Sequence, residues 1–203
     1  MVVKNKENPI EKVRDILEGQ NGILLTSHLA KFGIPRTYLS ILVKKGEIQR
    51  FSRGAYSATN YMTDEVASIQ ARFKGAIFSH ETALYLLGLT DRTPLFYSLT
   101  VPGVYNATSL KASGAKVYFV NRGLYLVGVI TMKSPHGNDI KTFNLERTIC
   151  DVLRSRNKIE FHFVNEALKK YVVHKDRNID QLYDYAKQFR VQKTAREYIE
   201  VLL

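Results

Sequence analysis

The chain has 203 residues, 45% hydrophobic and 11% aromatic, enough apolar material for packed cores; this excludes wholesale disorder and suits two modest domains. Thirty lysines and arginines stand against nineteen acids, and the formal net charge of +11 favours a polyanionic partner. No stretch approaches the ~18 apolar residues of a membrane span, and the opening MVVKNKENPIEKV lacks the apolar core of a secretory signal, so a cytoplasmic protein with no membrane partner is expected.

From Pro9 to Gly19 the spacing of Ile10, Val13, Ile16 and Leu17 predicts the first helix of a three-helix module. Thr26 and Ser27 suit an N-cap for a second, short helix with Leu29, Ala30 and Phe32 inward, ended by Gly33. A third helix is expected from Pro35 to Lys45, with Gly46 as its C-cap. At about 100° per residue, Pro35, Leu39, Leu42 and Val43 fall on a packing side, and Arg36, Thr37, Ser40 and Lys44 share one quadrant of the other. Arg36 and Thr37 lie at the helix start, the part of a recognition helix that reaches base edges, where arginine pairs bidentately with guanine; Lys44 and Lys45 suit phosphates.

After Gly46, Ile48 and Phe51 alternate roughly with Gln49 and Arg50, Ser52-Arg53-Gly54 makes a turn, and Ala55-Tyr56-Ser57 returns. This reads as the wing of a winged helix-turn-helix, with Arg50 and Arg53 near its tip for flanking backbone or minor groove. Between Lys31 and Arg53 six cations (31, 36, 44, 45, 50, 53) face one acid, Glu47. A solvated helical hairpin or a protein-binding winged module would share parts of this pattern. Double-stranded DNA is the preferred partner because charge, turn and helix face agree.

The domain boundary is expected near residue 60, giving a winged domain over 1–60 and a second domain over 61–203. Ala58-Thr59-Asn60-Tyr61 reads as a connector, and Thr63 or Asp64 as the cap of a helix holding Val66, Ala67, Ile69 and Phe73. Ser79 to Gly88 predicts a helix capped by Ser79. Its His80-Glu81 pair has the residue types of a base and its orienter, but neighbours on a helix point about 100° apart, and both residues are assigned to capping or backbone bonding. Strands are expected at Phe96–Val101, Lys116–Val120, Leu124–Val127 and Val129–Met132. LERTICDVL then begins a helix with Leu145, Ile149, Val152 and Leu153 inward and an i,i+4 pair, Arg147 with Asp151. Helical segments over 161–173, 179–190 and 194–203 complete a mixed α/β domain, so the fold class is α+β. The lone Cys150 falls on an apolar stripe and reads as a small core residue.

The alternative is a metal-dependent nucleic-acid-processing enzyme targeted by the winged domain. It rests on Asp139-Ile140-Lys141, the D-x-K shape of part of a nuclease site, for which no upstream acidic partner stands on a matching strand. Phosphate-loop, dinucleotide, zinc-protease and hydrolase signatures are absent, so no catalytic residue, metal or cofactor is expected. Lys169, Lys170, Lys175, Arg177, Lys187, Arg190, Lys193 and Arg196 form either a solvated face or a further DNA or RNA surface.

LLTSHLAKFGIPRTYLSILVKKGEIQRFSRGAYS, then IFSHETALYLLGL, then FNLERTICDVL resemble, in that order, the AbiEi antitoxin family of transcriptional regulators. The resemblance implies an antitoxin of a type IV toxin-antitoxin operon that represses its own promoter through its N-terminal domain. It further implies a nucleotidyltransferase-like toxin, AbiEii, counteracted without a stable complex, and a link to abortive infection against phage. Antitoxicity is assigned to the C-terminal domain. The resemblance supports Arg36, Thr37, Ser40, Lys44, Arg50 and Arg53 as DNA contacts and adds no catalytic residue. Dimers, or monomers binding cooperatively to inverted repeats, fit equally.

Overall fold

The computed structural model describes residues 8–60 and 64–202. They form two compact units: one takes the chain up to Lys74 together with Lys133–Ile140, the other Gly75–Met132 together with Lys141–Leu203.

The first unit contains α1 (Pro9–Gly19), β1 (Ile23–Leu25), α2 (Thr26–Lys31), α3 (Thr37–Lys44), β2 (Ile48–Ser52), β3 (Ala55–Ala58) and α4 (Glu65–Arg72). Its three strands lie in the order β1-β3-β2, both pairings antiparallel. Val13, Leu17, Leu24, Leu29, Ile34, Leu39, Leu42 and Ile48 make one core. α1 has the predicted bounds; Asn8 caps it through Ile10 N, with Pro9 in its first turn. Asp64 caps α4 by accepting from Ala67 N at 2.9 Å, whereas Thr63 lies outside the described residues. The other oxygen of this buried carboxylate accepts from Ser134 Oγ and from Asn138 Nδ2. A buried carboxylate needs such donors, and its bonds carry the first unit past the expected boundary near residue 60, to Lys74 and residues 133–140.

The second unit is built on β4 (Ile77–Phe78), α5 (His80–Leu86), β5 (Ser98–Pro102), α6 (Thr108–Ala112), β6 (Lys116–Val120), β7 (Val129–Lys133), β8 (Asp139–Phe143), α7 (Leu145–Arg154), α8 (Phe161–Val172), α9 (Ile179–Gln188) and α10 (Gln192–Leu202). The sheet order is β6-β5-β4-β8-β7; β4 runs antiparallel to β5 and parallel to β8, and β5 runs parallel to β6. Its core gathers α7, α8, α9 and α10, with Ile149, Cys150, Val152, Leu153, Leu168 and Leu182 fully enclosed. Burial pushes the Cys150 thiol far up, as befits a core residue.

Leu124–Val127 is a helical turn, not the expected strand: Tyr125 N bonds Arg122 O, Val127 N bonds Leu124 O, and Leu126 points outward, 69% exposed. The reason is Arg147. This wholly buried arginine donates from Nη1 to the carbonyls of Leu124 and Val127 and from Nε to Asp151 at 3.0 Å, with Phe143 and Phe189 rings 4.1 and 4.0 Å away. The turn supplies acceptors that a strand would have spent in a ladder. Gly128 closes it at φ +73°, where an added Cβ would lie 2.7 Å from Arg147 Cβ.

Candidate nucleic-acid interface

α3 is an eight-residue helix that packs Leu39 and Leu42 into the core. Pro35 precedes it and is exposed, and Val43 sits at the rim, 40% exposed, so the packing stripe is narrower than the expected four residues. Opposite, Thr37, Ser40 and Lys44 are exposed at i, i+3 and i+7, one row along the helix. Arg36 is the exposed N-cap, in helical conformation, its carbonyl accepting from Leu39 N at 3.1 Å. Lys45 is the exposed C-cap. Gly46 N and Glu47 N bond back to Val43 O and Leu42 O, and the helix stops at Lys44, one residue short of the expected end, with Lys45 and not Gly46 as its C-cap.

α2 begins at Thr26, but neither Thr26 nor Ser27 caps it. Leu25 holds the N-cap position, and its N–H donates to His28 Nδ1 at 3.5 Å. Burial, helped by Lys31 and Lys74, pulls the His28 pKa down, which keeps that nitrogen an acceptor. Leu29 is buried as expected; Ala30 is exposed and Phe32 is 62% exposed. The helix has ended by Phe32, so the helical phase no longer points that ring inward, and Ile34 fills the core instead, its N–H bonded to Leu29 O.

The β2–β3 hairpin presents Arg50, opposite Tyr56, and Arg53 in its turn; both are exposed. A register shift between Arg50 and Ser52 re-aims the outgoing strand. The tip is tied to α2: Thr26 N donates to Gly54 O at 2.9 Å, and Gly54 has φ +77° with Thr26 Oγ1 only 2.9 Å from where a Cβ would stand. β1, which sequence spacing did not signal, pairs with β3 and so sets the hairpin beside the helices. Glu47, the single acid of the segment, is bound bidentately by Arg14 at 2.9 and 3.0 Å, which holds its carboxyl below the usual range. All seven expected contact residues, Arg36, Thr37, Ser40, Lys44, Lys45, Arg50 and Arg53, are therefore exposed on one short stretch of the first unit, beside an acid already neutralised. Arg14, 33 residues from Glu47, carried no sequence signal for this role.

In the second unit, His80 and Glu81 bond side chains rather than the helix end. His80 opens α5 at φ +48°, buried; Nδ1 meets Ser79 Oγ at 2.9 Å, Nε2 meets Ser155 Oγ at 3.0 Å, and the ring stacks on Tyr118. Burial, reinforced by Lys116, Arg147 and Arg154, holds its pKa well below 6.5. Ser79 does not cap α5, because its Oγ is engaged with His80 and Thr100. Glu81 binds Lys116 at 2.7 Å and Ser98 Oγ at 2.9 Å. Asp139 is exposed and pairs with Lys133 at 2.7 Å; among the described residues no three His, Cys, Asp or Glu cluster as metal ligands. No described helix is long and apolar enough to cross a membrane.

A crystal structure of the RV2827C protein from Mycobacterium tuberculosis is similar in fold, with a TM-score of 0.61 and 13% identity over 95% of this chain and 76% of that one. No curated protein matches the chain. Residues 11–59, which run from within α1 through the polar row of α3 and the hairpin, match the family described as "Transcriptional regulator, AbiEi antitoxin".

Proposed function

We propose that the first unit is a winged helix-turn-helix that binds double-stranded DNA, with α3 as recognition helix and the β2–β3 hairpin as wing. The observation that carries this reading is the exposed row Arg36, Thr37, Ser40, Lys44 on a helix whose opposite side is locked into the core. Arg36 and Thr37 read base edges; Lys44, Lys45, Arg50 and Arg53 hold phosphates and set register. The family match supports a regulatory role. On this reading the protein is a cytoplasmic, non-catalytic autorepressor and antitoxin of a type IV toxin-antitoxin system, binding inverted repeats at its own promoter. It counteracts a nucleotidyltransferase-like toxin without a stable complex, in a system linked to phage abortive infection.

The test is a salt-titrated binding assay on the DNA upstream of the protein's own gene against a scrambled duplex, with divalent metal present and products inspected. Tighter binding to the upstream DNA with both strands intact supports repression and leads to a toxin-rescue assay. Equal binding to both duplexes, or cleavage, sinks it.

A further inference from the structure

β6 is an edge strand of the second unit's sheet, and Phe119, next to its end, leaves 42% of its surface open to water. Cations surround it. Lys111 Nζ stands 5.5 Å from the ring centroid, and Arg154 Nη2 donates to Phe119 O over 3.5 Å. One residue earlier the strand turns its other face, where Tyr118 lies under Lys116 and Lys116 Nζ reaches Lys158 O at 3.4 Å. The turn from Arg154 to Lys158 adds Arg156, exposed like its neighbours Arg154 and Lys158.

Among the described residues, Lys111, Arg154, Arg156 and Lys158 form no ion pair with a carboxylate. Of the acids nearest in the chain or bonded here, Asp151 is committed to Arg147 and Glu81 to Lys116 and Ser98, and Glu160 lies 3.3 Å from His162. These exposed cations around an open ring are available to a polyanion. The charge asks for phosphate, and the ring asks for a flat apolar face. Duplex DNA offers the first but keeps its base faces stacked inside; an unpaired strand offers both.

We propose that this edge binds single-stranded polynucleotide, with a base stacked on Phe119 and the phosphates held by Lys111, Arg154, Arg156 and Lys158. The site is independent of the duplex-binding face on the first unit. Lys111 is exposed on the last turn of α6, so its ammonium is free to pass from the ring to a phosphate when a base arrives.

The experiment is fluorescence anisotropy of the full-length protein with a short labelled oligouridylate, the matching oligothymidylate and a labelled duplex, each over a salt titration. Phe119→Leu, which keeps an apolar side chain but removes the stacking face, is expected to weaken single-strand binding about fivefold or more, the loss of one stacked base. It should leave duplex binding unchanged, which also reports that the variant is folded. Arg156→Gln should weaken single-strand binding and make its salt dependence shallower by roughly 0.7 in log-log slope. Arg36→Ala should leave single-strand binding intact. Tighter uridylate than thymidylate binding assigns the site to RNA, and parity assigns it to either strand; both support the proposal. It is overturned if neither oligomer binds, if Phe119→Leu binds them as wild type does, or if only Arg36→Ala loses them.

Discussion

At the scale of single residues, the chain puts charge in two opposite settings. Arg147 is wholly buried, paired with Asp151 and stacked between two phenylalanine rings. Removing one member of such a pair leaves the other uncompensated, so Arg147→Met should cost about 3 to 5 kcal/mol of stability by urea denaturation. Arg36 stands in water, and its loss belongs to binding instead. Arg36→Ala should lower affinity for the specific duplex by about 1 to 3 kcal/mol and barely change scrambled DNA, whereas Lys44→Ala should weaken both alike. Equal losses for Arg36→Ala would show that it reads no base. His80 gives the residue scale its pH signature. Its folded pKa is depressed well below 6.5, so below that pH the unfolded chain takes a proton that the folded protein refuses. Stability should fall as pH drops from about 6.5 toward the folded pKa, by up to ~1.4 kcal/mol per pH unit, and His80→Gln should flatten that limb in pH-dependent thermal melts.

At the scale of elements, the hairpin depends on Gly54. Gly54→Ala forces a side chain onto a left-handed backbone and against Thr26 Oγ1. It should cost about 1 kcal/mol or more in stability, and by loosening the tip should weaken duplex binding; wild-type affinity in this variant would argue that the hairpin does not touch DNA. The elements legible in the sequence are those whose stops are local. α1 begins on Asn8-Pro9 and ends at Gly19, and α3 ends at Lys44, just before Gly46, because caps act within a few residues. The polar row of α3 was legible for the same reason, as helical phase over eight residues leaves little room for drift. β1 and β4, three and two residues long, were not legible, since such strands exist only through partners far along the chain. Leu124-Tyr125-Leu126-Val127 carries the apolar, aromatic composition of a strand, but its carbonyls answer to an arginine some twenty residues later. Phe32 was misplaced because one residue past a helix end the periodic rule no longer holds.

At the scale of the whole molecule, the charge of +11 divides into surfaces with different partners in prospect: a helix row and hairpin suited to duplex, and a sheet edge with an open ring suited to an unpaired strand. Both interactions should weaken as salt rises, with a slope near −0.9 per neutralised phosphate on duplex and −0.7 on single strand. Measured separately, the two slopes count the phosphates held at each surface.

The chain's route has a consequence for anyone dividing the protein. Residues 133–140 return to the first unit after the strands of the second have begun, bringing Ser134 and Asn138 to the Asp64 carboxylate. No single scissor cut separates the two units: a fragment ending at Lys74 keeps every residue of the proposed DNA face yet strips a buried anion of two of its donors. Loss of function in such a truncation would report a broken seam in the remaining half as readily as a missing activity in the discarded one.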